Sequence, residues 1–89
     1  MGAMSKAFTT DRKASAAEVR AHAESLRRIA QEVGVTDPRL RDDGTVVVHS
    51  EHPGYRDAVA LSQRLSDLVG CYVHVITDDV PGAVDALPV

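Results

Sequence analysis

The sequence predicts a small α/β domain of order αβαβ, with a short, mainly parallel or mixed sheet of two to three strands packed against two amphipathic helices. Three observations lead there. Two stretches carry apolar residues at three- and four-residue steps, each of these ends at a glycine (Gly34 and Gly70), and two β-branched runs, Thr45–His49 and Cys71–Thr77, alternate with them.

The first helix opens on Ser15-Ala16-Ala17-Glu18, a capping box in which hydroxyl and carboxylate each satisfy an orphan amide of the first turn. Val19, Ala23, Leu26, Ile29 or Ala30, and Val33 then form its apolar side, with Arg20, Glu24, Arg27, Arg28, Gln31 and Glu32 opposite and Gly34 as the left-handed stop. Val35 to Gly44 holds two turn signals, Asp37-Pro38 and Asp42-Asp43-Gly44, so it reads as connection with at most a short extended piece at Arg39–Arg41. Thr45–His49 suits a buried strand. Pro53 is placed for the first turn of the second helix, whose stripe is Ala58, Leu61, Leu65, Leu68 and Val69. Cys71–Thr77 is the second strand, and the helix between the two strands implies a parallel crossover. After Asp78, Ala83–Leu87 is enough for a helical turn or two. There is no internal repeat and no low-complexity tract.

At 89 residues the chain has room for one domain. Residues 1–13 are set aside, Met1–Met4 as a tag remnant and the rest as a polar, flexible N-terminus, and residues 14–89 form the domain. With 44% hydrophobic and 26% charged residues the chain should fold. A domain this small hides only ~60% of the surface its unfolded chain exposes, so a partner subunit, a second copy included, helps it. Ten Lys and Arg against thirteen Asp and Glu give a net charge of −3, which argues against a nucleic-acid or anionic-membrane partner. Phe8, Tyr55 and Tyr72 are too few and too scattered to stack bases. No apolar run approaches the ~20 residues of a membrane span, no signal peptide precedes the domain, and Cys71 alone forms no intrachain disulfide. The expected address is cytoplasmic.

Four histidines, one cysteine and two Asp-Asp pairs are the reactive inventory. If the strands are neighbours, His49 and His74 share a face and with Cys71 offer nitrogen and sulfur to a divalent metal; the plainer alternative is an imidazole hydrogen-bonded at the sheet edge. His52, three residues after His49, straddles a strand end and a turn. Cys71 lacks a visible base or cation, since His74 lies three positions on and points to the other face, so structural burial is expected. Asp42-Asp43 and Asp78-Asp79 are adjacent, which aims their carboxylates apart and favours turn and cap roles over a shared ion. His22 sits on the apolar side of the first helix as a boundary residue, and Arg27-Arg28 is a solvated face or a small contact for an acidic partner. A phosphate loop, a nucleophile elbow and a CxxC pair are all absent from the sequence.

Leu26-Arg27-Arg28-Ile29-Ala30, then Gly34-Val35-Thr36-Asp37-Pro38-Arg39, and later Leu65 through Thr77 resemble the framework of minimal nucleotidyltransferase (MNT) domains of the polymerase-β-like superfamily, over roughly Val19 to Asp79. The resemblance implies a strand with Gly-Ser, a strand with Asp-x-Asp and a third carboxylate on a later strand. Here the chain runs from Arg39 to Thr45 without Gly-Ser, as though the phosphate-holding strand were missing; only Asp43 matches the Asp-x-Asp, and His74 stands where the third carboxylate belongs. Two-metal transfer needs carboxylates that meet the same ions. The resemblance therefore implies a degenerate member that binds rather than catalyses: an antitoxin or interaction module for a helical HEPN-type toxin, with no cofactor required. An alternative is a transferase with an altered site at Asp43, His49 and His74, which alone would call for Mg²⁺ and ATP. A DNA-binding autoregulator is a further alternative, set against the negative charge. The edge left by the missing strand is the expected interface, because unpaired backbone groups invite strand addition.

Overall fold

The computed structural model describes residues 12–52, 54–80 and 85–89. Within them the chain is a small α/β domain with three helices, α1 (Ala16–Arg20), α2 (Ala23–Val33) and α3 (Arg56–Val69), and four strands. The strands are β1 (Thr36–Leu40), β2 (Val46–His49), β3 (Val75–Thr77) and β4 (Leu87–Pro88), and they form one mixed sheet of order β3-β2-β1-β4.

The capping box forms as expected. Ser15 Oγ accepts from the Glu18 amide at 3.2 Å and Glu18 Oε1 accepts from the Ser15 amide at 2.9 Å. The expected single first helix is instead two pieces, with a break at Ala21–His22. No glycine or proline causes it. The short piece is tethered at its start, where the Ala14 amide donates to the Tyr72 carbonyl and the Tyr72 amide to the Arg12 carbonyl. Arg12 and Lys13, assigned from the sequence to the loose N-terminus, thus pair with Tyr72 as part of the fold.

The stretch read as connection contains a strand. β1 lies antiparallel to β2, so a strand is present where the sequence suggested one was missing, and the β2 edge expected to be the interface is covered by it. Asp37 adopts a left-handed backbone (φ 53) and shifts the register between Thr36 and Arg39, so the Asp-Pro signal marks an irregularity within a strand rather than a turn between elements. Pro38, which has no amide to give, accepts from the Val89 amide. Asp42-Asp43-Gly44 does turn the chain, closing the β1–β2 hairpin through Arg41 N–H to Thr45 C=O at 2.9 Å. The helical turn expected at Ala83–Leu87 is likewise corrected at its end. Residues 81–84, like Pro53, lie outside the described residues, but Leu87–Pro88 is extended and pairs with β1.

β2 and β3 pair in parallel, as the crossover implies, although β3 is shorter than the run that announced it. Val46 and Val48 of β2 and Val73 and Val75 beside them face α2 and α3, where Leu26, Leu61 and Leu65 are almost fully buried. Each such side chain contributes roughly 1.5–3 kcal/mol. Alternation sends Val47, His49, His74 and Ile76 to the other face. No helix of the described residues is long and apolar enough to cross a membrane.

Candidate functional site

The sheet register decides which of the sequence-nominated residues meet. Val46 pairs with Val75 and Val48 with Thr77, so His74 lies beside Thr45 and His49 beside Asp78. The two histidines share a face, as expected, but sit at opposite ends of the strand pair, about 13 Å apart along it at 3.3 Å per residue. Among the described residues no group of three or more His, Cys, Asp or Glu is placed to hold a metal ion.

Each polar candidate is engaged locally. Asp43 sits in the hairpin turn, accepting from the Thr45 amide at 3.0 Å and lying 3.5 Å from Lys13 Nζ. Those contacts hold its carboxyl at about 2, the Thr45 amide being the main cause. His74 Nδ1 meets the Tyr72 hydroxyl at 2.8 Å. His49 bridges two carboxylates, Nε2 to Glu51 at 3.0 Å and Nδ1 to Asp78 at 3.2 Å, and Arg39 reaches Asp78 at 3.1 Å. A ring with both nitrogens on carboxylates donates twice only as imidazolium, so Glu51 first and Asp78 second raise its pKa. For Asp78, burial pushes the carboxyl up, but hydrogen bonds from His49 and Arg39 outweigh it and the net shift is downward. His52 contacts Asp57, which Ser50 also bonds at 2.8 Å.

Cys71 is buried, as expected, but a cation the sequence did not reveal lies against it: Arg12 Nη2 is 2.7 Å from its sulfur. That guanidinium is held by both oxygens of Glu18, at 3.0 and 2.9 Å. The Arg12 hydrogen bond is the main reason the Glu18 carboxyl is held at about 2. The thiol therefore faces a compensated pair rather than an open positive charge.

The apolar surface gathers beside His74 and Tyr72. Between α3 and the outer edge of β3 runs a trough of about 410 Å³, walled by Tyr55 and Val59 on the helix and by Val75 and Ile76 on the strand. Tyr55 is 74% exposed and Val59 50% exposed, large values for apolar side chains of a small domain. No family model, curated protein or solved structure matches this chain. Its own geometry therefore carries the functional argument.

The sequence did hold a signal for the trough. Tyr55, the N-cap of α3, and Val59, Ser62 and Ser66 within it recur at steps of four, three and four, a second stripe beside the buried one of Ala58, Leu61 and Leu65. The lower half of this stripe closes on the strand: the Ser62 hydroxyl donates to the Val73 carbonyl at 2.6 Å, and Ser66 Oγ accepts from the Val73 amide at 2.9 Å. The upper half, Tyr55 and Val59, offers the strand no polar group and leaves the trough open.

Proposed function

We propose that this chain works by binding a protein, as a catalytically degenerate nucleotidyltransferase-like module, and that the trough between α3 and β3 is the binding face. The observation that supports this reading is a contrast of surfaces. Asp43 and His49 are spent on neighbours away from the trough and His74, within its lining, is bonded to Tyr72, while Tyr55 and Val59 stand exposed along one sheet edge. Exposed apolar area beside an unpaired strand is the usual mark of a docking face. The resemblance to MNT domains suggests the partner, a helical HEPN-type toxin, with this chain as its cytoplasmic antitoxin.

The test is copurification from the native host at native expression, with Val59→Asp as the comparison. The expected result is a stoichiometric small helical protein that the substitution releases without changing the melting temperature. A retained partner with Val59→Asp moves the interface off the trough. Recovery of no partner, with saturable amide shifts at Asp43 to His49 and at His74 on titration with ATP and Mg²⁺, overturns the proposal in favour of a transferase.

A further inference from the structure

The backbone hydrogen bonds along β3 show what kind of partner segment the trough can take. The ladder to β2 uses Val46 N–H to His74 C=O at 2.8 Å and Asp78 N–H to Val48 C=O at 2.9 Å. By the alternation of a parallel ladder, Val73, Val75 and Thr77 turn their amides and carbonyls to the outer edge. At Val73 both groups are taken by Ser66 and Ser62. At Thr77 the carbonyl accepts from the Val80 amide at 3.4 Å. Three outer-edge groups have no partner among the described residues: the Val75 amide, the Val75 carbonyl and the Thr77 amide.

Unpaired groups on a strand edge invite an added strand, and the apolar walls of Tyr55 and Val59 supply no partner. One added strand supplies all three. Charge narrows its composition. Among the described residues no Lys, Arg, Asp or Glu lines the trough, and His74 is its one ionisable imidazole. At its ends stand Asp67, in the continuation past Tyr72, and Asp79, and neither has a cation paired with it among the described residues. The geometry points to an extended segment of a partner protein, apolar in its middle and basic at its ends, that adds to β3 as a fifth strand under Tyr55 and Val59. This inference rests on the binding reading above and specifies its mode.

The test uses the full chain, isotopically labelled, and a synthetic seven-residue peptide with lysine at each end and alternating valine and threonine between. Controls are the same peptide with glutamate at both ends and a version N-methylated at all five residues between the lysines, whose methyl groups block pairing along either edge. The expected result is saturable binding of the lysine peptide, with exchange of the Val75 and Thr77 amides slowed at least about tenfold. The Val73 amide, already bonded to Ser66, is unchanged. The glutamate peptide binds roughly fivefold weaker or worse, and the methylated peptide gives no protection. Saturable binding without protection at Val75 and Thr77, or preference for glutamate ends, overturns strand addition; the copurification result, read separately, still decides the wider reading. No saturable binding at millimolar peptide overturns it equally. Protection in the free protein that grows with its concentration makes a second copy the occupant, and cross-peaks from these amides to residues 1–11 make it the chain's own N-terminus; either overturns the proposal.

Discussion

At the Gly44 end of the β2–β3 pair the chain is held by close backbone packing, whereas at the His49 end it is held by charge. Gly44 has φ 90, and a Cβ built on it would lie 2.2 Å from the Ala14 carbonyl oxygen, so the hairpin turn and the start of α1 share space only a glycine leaves. Around His49 no such contact exists; Glu51, Asp78 and Arg39 hold the ring through ion pairs near the surface. The difference teaches which end tolerates change. Packing fails all at once, while an exposed charge cluster weakens gradually with pH and salt.

The largest expected effect therefore belongs to Gly44→Ala. The left-handed backbone costs about 1–2 kcal/mol for a residue with a side chain and the clash adds about 1–3. A loss of roughly 3 kcal/mol lowers the melting temperature of a domain this size by about 15 °C. A thermal melt within a few degrees of the parent would break the comparison, because it would show the Ala14 contact to be adjustable.

The next effect is at the same end but polar. Asp43→Ala removes the acceptor of the Thr45 amide and the partner of Lys13, a loss of about 1 kcal/mol at neutral pH. Asp43 has its pKa lowered from 3.8 to about 2, so its contribution is full above 3.8 and disappears as pH falls through about 2. The variant should lose part of the parent's acid-unfolding limb in that interval, the remainder belonging to Glu18, held at about 2, and to Asp57 and Asp78, which are also held below the ordinary carboxylate value. An acid limb identical to the parent's would place Asp43 outside the turn's energetics.

How much of this was legible in the sequence follows from where each feature gets its cause. α2, α3 and β2 were legible because their apolar periodicity and the stops at Gly34 and Gly70 are local. β1 was not, because Thr36–Leu40 owes its extended state to β2 on one side and β4 on the other, and Asp37-Pro38 masks it with a turn signal. β4 has two residues and exists only as a neighbour of β1. For the histidines, alternation gave the shared face, but their separation depends on register, which only the pairing of Val46 with Val75 supplies. The trough needed both facts together: the Tyr55–Val59–Ser62–Ser66 spacing is in the sequence, but that it lies along an open strand edge is not.

The smallest effect tests the charged end. His49 gains its raised pKa from Glu51 and Asp78, so its stabilising contribution is complete below the ordinary value of 6.5 and is lost as pH rises through the higher folded value. Stability of the parent should fall from pH 6.5 into the mildly alkaline range. Asp78, shifted downward, stays ionised throughout that window and adds no slope of its own there. His49→Gln should flatten the curve, with little change at alkaline pH, where the native ring is already neutral, and the difference should shrink in high salt because the ring is 45% exposed. Denaturant titrations of parent and variant across this range, at low and high salt, read the effect directly. If the slope survives the substitution, another group titrates there and the cluster at Asp78 is not what separates the two ends.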